Sequence, residues 1–391
     1  MNDFLRKTNS LIEAFLTVFL PSILVVIPKQ KNLWIFTAWS GLKFEDNAKA
    51  MYEHIVANES GQVTPIYLVK SKVLNEKLKS KGIDSYYCYS VKGLKYQLIA
   101  SKVFFTHNIG GDLYRPFIAK NTIRINMWHG MPVKKIRFDD DVTYSPFRIK
   151  LISSRLYQYI SNEYYDHILS LGDSSTVILS SAFSHPKNKF IGTGFPRNDA
   201  LVKYNKNEEK IVLTYMPTFR NDIGSDLDLI RRFHIDVEQS DKLLGEYNAE
   251  LIIKIHPANR ITLESLKTIN VCKNIKLEND DASDILTKAN GIITDYSSVM
   301  YDASSSLKSV YLFCPDYEEY FSEQRDSYID KNIFMSELFF TRWDECLKEV
   351  LYLESSAGNE SNIPSWLLNY HKYDRGVSCH NLYQFIYNKY N

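Results

Sequence analysis

The chain has no CxxC pair, no HExxH and no GxxxxGK[ST], and it carries no internal repeat or low-complexity tract. These absences exclude zinc-ribbon, zincin and P-loop chemistry, and any repeat architecture. Its five cysteines, Cys88, Cys272, Cys314, Cys346 and Cys379, lie far apart. An odd, scattered set argues for a reducing compartment and against a zinc site or a disulfide framework. No charge of one sign dominates, with 47 basic against 46 acidic residues. A basic footprint for nucleic acid is therefore missing, and no nucleic-acid partner is expected.

Long apolar runs are also scarce. Residues 11–28, LIEAFLTVFLPSILVVIP, form an apolar stretch that Glu13, Thr17 and Pro21 interrupt. It is marginal in length for a membrane span, and no small-residue cleavage site follows it. Arg6 and Lys7 precede it and Lys29 and Lys31 follow. Basic flanks around an apolar helix suit a segment lying in an anionic membrane surface. A true span and a buried core helix remain the alternatives.

What is there is alternation. At 391 residues the chain has room for two domains, each with its own core. Apolar runs at 32–37, 64–69, 102–106 and 122–127 read as strands separated by helical stretches. Further strands are expected at 189–192, 211–216, 250–255 and 291–294. Such alternation predicts α/β structure with parallel sheets and helices on their faces. Residues 203–210, KYNKNEEK, are polar apart from the tyrosine and make the best linker. The expected division is 1–31 as a membrane-associating segment, 32–205 as a first α/β domain and 206–391 as a second.

Chemistry-bearing residues fall at predicted strand ends, where ligands of parallel sheets bind. Residues 291–303, GIITDYSSVMYDA, read as strand, polar turn and helix. Free backbone N–H groups and a helix dipole make such a turn fit for a phosphate, with Ser297 and Ser298 as hydroxyl donors. A plain capped helix explains the same letters. In NMWHGMPVKKI, His129 follows a strand, Gly130 gives the backbone room, and Lys134 and Lys135 add positive charge. A histidine placed so can act as a general base near neutral pH, or it can be an ordinary loop histidine. Thr218 and Arg220 follow the strand at 211–216, and His256 follows the strand at 250–255. Arg220, His256 and Ser297/Ser298 on one sheet edge would form a diphosphate pocket. Trp343, Trp366, Tyr383, Phe385 and Tyr387 in the tail read as packing residues.

The stretches WHGMPVKKI, YMPTFR, IKIHP and ITDYSSVMYD occur in the order expected for the CDP-glycerol glycerophosphotransferase family, which the chain resembles from about Lys31 onwards. GLKFEDNAKAMYEHI and GTGFPRNDAL fit it too. The chain departs from the common pattern at Met131, Phe219 and Asp326. The resemblance implies a GT-B-like fold, two Rossmann-like domains with the active site in the cleft between them. By motif it assigns His129 as the catalytic base. It gives Arg220, His256 and Asp295 to holding and activating a CDP-linked polyol donor, and Gly130, Lys134, Thr218, Ser297 and Ser298 to substrate binding. It implies polyol phosphate transfer to a lipid-linked saccharide or a polyol-phosphate polymer at the cytoplasmic face of the membrane, with CMP released, in teichoic acid or capsule-type synthesis. CDP-glycerol is then a substrate, and neither a cofactor nor an essential metal is expected. A nucleotide-sugar glycosyltransferase and a CDP-ribitol-dependent transferase are the alternatives. Nothing in the sequence fixes the oligomeric state.

Overall fold

The computed structural model describes the chain except Met1, 141–144, 203–208, 219, 221–227, 256–260, 324–325, 357 and 359, and of residues 2–11 and 321–323 it describes the backbone alone. Two compact units emerge. The first holds Met1–His129, Arg137–Arg197 and Val377–Asn391, and the second holds Gly130–Ile136 and Asn198–Gly376.

The first unit is built on strands β1 (Gln30–Phe36), β2 (Thr64–Val69), β3 (Ser85–Tyr87), β4 (Ala100–Phe105), β5 (Ile123–Asn126), β6 (His167–Leu169) and β7 (Phe190–Ile191). They form a parallel sheet in the order β3-β2-β1-β4-β5-β6-β7. The second unit contains β8 (Ile211–Met216), β9 (Ala249–Ile253), β10 (Ile275–Leu277), β11 (Gly291–Thr294), β12 (Ser309–Phe313) and β13 (Phe339–Phe340). Its order is β10-β9-β8-β11-β12-β13, again parallel. Each sheet reverses its winding once, between β1 and β4 and between β8 and β11. At such a switch point the connections leave in opposite directions and open a crevice beyond the strand ends.

Burial explains why these strands read as apolar runs rather than alternating ones. Every residue of β11 and β12 is buried, as befits central strands covered on both faces. In the first unit Trp34, Phe36 and Phe104 stack at 5.2 and 4.7 Å and fill the middle of the sheet. The Trp343 ring lies in the core of the second unit, and its indole N–H donates to Ser240 Oγ at 2.8 Å.

The units differ from the division read along the chain: the boundary falls at Arg197/Asn198, Gly130–Ile136 joins the second unit, and both chain ends belong to the first. The N-terminal helix α1 (Asn2–Ile23) belongs to the first unit and is no separate segment. Thr17 and Pro21, one turn apart, are buried, and the Pro21 carbonyl accepts the Lys120 N–H at 2.9 Å. The C-terminal helix Ser378–Tyr390 returns to the first unit, where Tyr383 packs on Trp34 at 5.9 Å and Tyr390 OH meets His167 Nε2 at 2.8 Å. An apolar stripe on a terminal helix says that it docks, but not on which of two sheets. No helix among the described residues is long and apolar enough to cross a membrane.

Candidate active site

Two clusters of side chains sit at the two switch points, one in each unit. In the first unit β5 ends at Asn126, whose Oδ1 caps the Trp128 N–H at 2.8 Å. This turn places Trp128 at a positive φ of 52° and presents His129 at the sheet edge. The imidazole is flanked by His107 at 4.4 Å, Trp128 at 3.9 Å and Trp39 at 5.6 Å between ring centres. His129 Nδ1 lies 3.1 Å from the Thr106 carbonyl oxygen. A carbonyl can only accept, so Nδ1 carries the hydrogen and Nε2 keeps its lone pair. Burial first, and then the neighbouring His107, pushes its pKa down to about 4. At neutral pH this group is an uncharged acceptor.

A second set of groups fixes the backbone behind it. Arg197 donates from Nη1 to the His129 carbonyl at 2.9 Å and to Asp46 Oδ1 at 2.7 Å. Asn47 Nδ2 donates to the carbonyls of Met127 and Trp128 at 3.1 and 3.0 Å, and its Oδ1 accepts the Arg197 N–H at 3.2 Å. Asp46 and Asn47 open helix α2 (Asp46–Asn58). Reading by residue type missed these three. Their signal lay in the stretches GLKFEDNAKA and GTGFPRNDAL, which the structure joins at Asp46–Arg197.

The chain leaves the first unit at His129, and Gly130–Ile136 belongs to the second. Gly130 has a φ of 138°, a conformation that a side chain would strain. Lys134 Nζ lies 4.0 Å above the Tyr320 ring, and Lys135 pairs with Asp326 at 2.8 Å.

The second cluster lies beyond β8 and β11. Asp295, next after β11, accepts the Thr218 N–H at 2.8 Å and its hydroxyl at 2.5 Å on Oδ1. Asp295 Oδ2 accepts from Arg220 Nη2 at 2.8 Å. Arg220 also donates from Nε to Asp316 Oδ2 at 2.8 Å, from Nη2 to Asp316 Oδ1 at 3.1 Å and from Nη1 to the Thr218 carbonyl at 2.8 Å. Its side chain is 6% exposed, and its guanidinium lies 5.4 Å from the Tyr296 ring and 5.2 Å from Tyr320. Burial opposes the charge, but Asp295 and Asp316 together hold the pKa above the ordinary arginine value. Nε, one hydrogen of Nη1 and both of Nη2 are engaged inside the protein, which is most of the fork. Arg220 therefore ties the loop after β8 to β11 and to the loop after β12. It is not presented as a ready phosphate clamp.

Ser297 and Ser298 stand half-buried at the start of the helix Val299–Ser305. Ser297 Oγ accepts the Val299 N–H at 3.4 Å, and Ser298 makes no side-chain cap bond. Thus Thr218, Arg220, Asp295 and the two serines are brought to one switch point, as their strand-end positions foretold. His129 and Lys134 lie in different units. His256 lies outside the described residues.

Two doubly wound parallel sheets with polar clusters at their switch points define a two-unit α/β protein of GT-B-like fold. Residues 19–388 match the family described as CDP-Glycerol:Poly(glycerophosphate) glycerophosphotransferase, and the chain belongs to that family. It is 27% identical over 346 residues to a teichoic acid poly(glycerol phosphate) polymerase of Bacillus spizizenii, covering 84% of this chain and 85% of that protein. A teichoic acid glycerol-phosphate transferase of Staphylococcus aureus is 25% identical over 325 residues, covering 77% and 78%. Among solved structures, the wall teichoic acid polymerase TagF superposes with a TM-score of 0.72 at 20% identity, covering 100% of this chain and 98% of that one. The GT-B-like fold and the glycerophosphotransferase assignment expected from the motifs both hold.

Proposed function

We propose that the protein moves glycerol phosphate from CDP-glycerol to a hydroxyl of a lipid-linked or polymeric acceptor, releasing CMP, with His129 as the base. The observation that carries this reading is the state of His129, neutral, with Nδ1 spent on Thr106 and Nε2 available. Nε2 takes the acceptor hydroxyl proton as that oxygen attacks the outer phosphorus. The bond from that phosphorus to the bridging oxygen breaks, and the electron pair leaves with CMP. A positioned base of this kind contributes about 10²–10⁴-fold. Arg197, Asp46 and Asn47 act as positioning residues for it.

On the donor side, Ser297 and Ser298 hold the diphosphate, and Asp295 orients Thr218 toward it. Arg220 holds the Asp295 carboxylate in place through the Nη2–Oδ2 contact, and so acts through its neighbours. His256 is assigned to the same donor group on its motif alone, with Gly130 and Lys134 as further substrate contacts. Closure around the donor excludes water, which otherwise competes as acceptor.

The enzyme works at a membrane surface, on the following grounds. Helix α1 buries Thr17 and Pro21 and turns Phe15, Phe19 and Ile23 outward, at 67%, 55% and 62% exposure. The helices Pro146–Ile152 and Arg155–Ile160 expose Phe147, Leu151 and Leu156 beside Arg148, Lys150 and Arg155. Lys120 joins the two regions, since its N–H reaches Pro21 and its ammonium reaches the Tyr159 carbonyl. Exposed apolar side chains interleaved with basic ones suit an interfacial position on anionic lipid.

The test is CMP release from CDP-glycerol by purified protein in detergent, with and without membrane extract as acceptor source. CDP-ribitol and nucleotide sugars serve as alternative donors. Acceptor-dependent release with CDP-glycerol that His129→Ala abolishes supports the proposal. Equal turnover of a nucleotide sugar, or none with either CDP-polyol, overturns it.

A further inference from the structure

Away from both clusters, three side chains with metal-binding atoms converge on the first unit. His54 lies in the last turn of α2, Glu59 is the residue that caps that helix, and His380 lies in the first turn of the C-terminal helix. One ligand atom from each falls within 4.8 Å of the others. His54 and Glu59 are near neighbours in sequence, whereas His380 comes from the far end of the chain. The mechanism above uses none of them.

We propose that His54, Glu59 and His380 form a site for a divalent transition cation of the zinc type, which staples the C-terminal helix to α2. The donor set fits that class, because imidazole with carboxylate suits zinc, cobalt or nickel rather than magnesium or calcium. A tetrahedral ion with bonds of about 2.0–2.1 Å needs ligand atoms about 3.3 Å apart, with water as the fourth ligand. The three atoms, within 4.8 Å of one another, must close by up to about 1.5 Å, and the exposed His380 side chain can swing to do so. Glu59 is well placed as the fixed member. Its N–H donates to the Ile55 carbonyl at 2.9 Å, and its own carbonyl accepts from Gln62 and Val63 at 2.9 and 3.0 Å. His54 is oriented by Asn58, whose Nδ2 lies 3.3 Å from His54 Nδ1 and 2.8 Å from its carbonyl oxygen. The two imidazoles already approach edge to face, at 6.5 Å between ring centres.

The consequence is mechanical rather than chemical. Helix α2 begins at Asp46, which pairs with the Arg197 that holds the His129 carbonyl, and at Asn47, which holds the Met127 and Trp128 carbonyls, and it ends at this site. The C-terminal helix is the last segment to reach the first unit and comes from the far end of the chain. A cation bridging the two adds its binding free energy to the docked state, because the undocked chain holds the three ligands apart.

The experiment uses the full chain, stripped with chelator, and titrates Zn²⁺ by calorimetry and Co²⁺ by visible absorption. One equivalent should bind, with Co²⁺ d–d bands of a nitrogen and oxygen site and no thiolate charge-transfer band. Zn²⁺ should raise the unfolding temperature of the wild-type chain. His380→Ala should weaken binding by at least about tenfold and abolish the thermal shift, with CMP release at saturating CDP-glycerol unchanged. Glu59→Gln should also weaken binding but leave the apo-protein's unfolding temperature near that of wild type, which separates loss of the site from loss of the fold. Thiolate bands, or binding that is the same in both variants, would overturn the proposal.

Discussion

The two switch points solve opposite electrostatic problems. At the end of β5 the His129 imidazole sits among aromatic rings, the His107 imidazole and one carbonyl, and its charge is suppressed. Beyond β8 and β11 a guanidinium and two carboxylates are buried together, and the pairing holds the Arg220 pKa above its ordinary value despite burial. A base must be neutral before the reaction, and an apolar niche keeps it so. The loop proposed to hold the diphosphate is braced by a buried ion triad. The same fold feature, a polar residue just past a parallel strand, thus carries the proposed base in one unit and a brace in the other.

The sharpest way to break this contrast is at the histidine. His129→Ala should lower kcat for CMP release by about 10²–10⁴-fold, with CDP-glycerol affinity little changed, as measured by steady-state kinetics and calorimetry. Next is the brace. Arg220→Ala leaves Asp295 and Asp316 buried and uncompensated, and should cost about 3–5 kcal/mol in urea unfolding. Arg220→Lys should rescue little, because an ammonium cannot reproduce the two-sided fork. If Arg220→Ala instead left stability intact and raised only the donor KM, the residue would be a phosphate ligand and not a brace.

The positioning pair comes third. Arg197→Ala removes the bonds to Asp46 and to the His129 carbonyl, and should reduce kcat by about tenfold to a hundredfold with the donor KM held. The pH dependence is smaller. His129 has a folded pKa of about 4, below its ordinary value. Between about pH 6.5 and pH 4 the unfolded chain binds a proton that the folded chain refuses. The stability contributed by neutral His129 is therefore whole above about pH 6.5 and is lost as pH falls towards 4. Urea midpoints at pH 7 and pH 5 should differ less in His129→Asn than in wild type. Smallest is Ser298→Ala, which removes no cap bond and should change stability by less than about 0.5 kcal/mol while weakening CDP-glycerol binding.

Strand ends were the readable part of this molecule. β1, β2, β4, β5, β8, β9 and β11 have four or more residues and carry enough apolar side chains to show in the letters. β3, β6, β7, β10 and β13 have only two or three residues, too few to set a pattern, although β7 fell inside a predicted strand. β12 is long enough, but its SVYLF run was not singled out. His129, Thr218, Arg220, Asp295 and the serines could be placed for the same reason, since each directly follows a long strand. The partners could not. Asp316 lies 96 residues from Arg220, and Arg197 lies 151 from Asp46, so neither pairing leaves a local trace. Residue type alone therefore presented Arg220 as a cation awaiting phosphate, whereas its neighbours show it already held. The docking of the C-terminal helix on the first unit was hidden for the same reason of sequence distance.

The account rests most heavily on a neutral His129 acting as the base. Its direct test is kcat/KM for acceptor-dependent CMP release from CDP-glycerol, measured from pH 5 to pH 8 for wild type and His129→Ala. The account predicts that no acid limb near pH 6.5 appears in the wild type and that the variant is inactive throughout. A variant that keeps wild-type turnover, or a wild-type rate that halves near pH 6.5 and is restored by no change of acceptor, would contradict it.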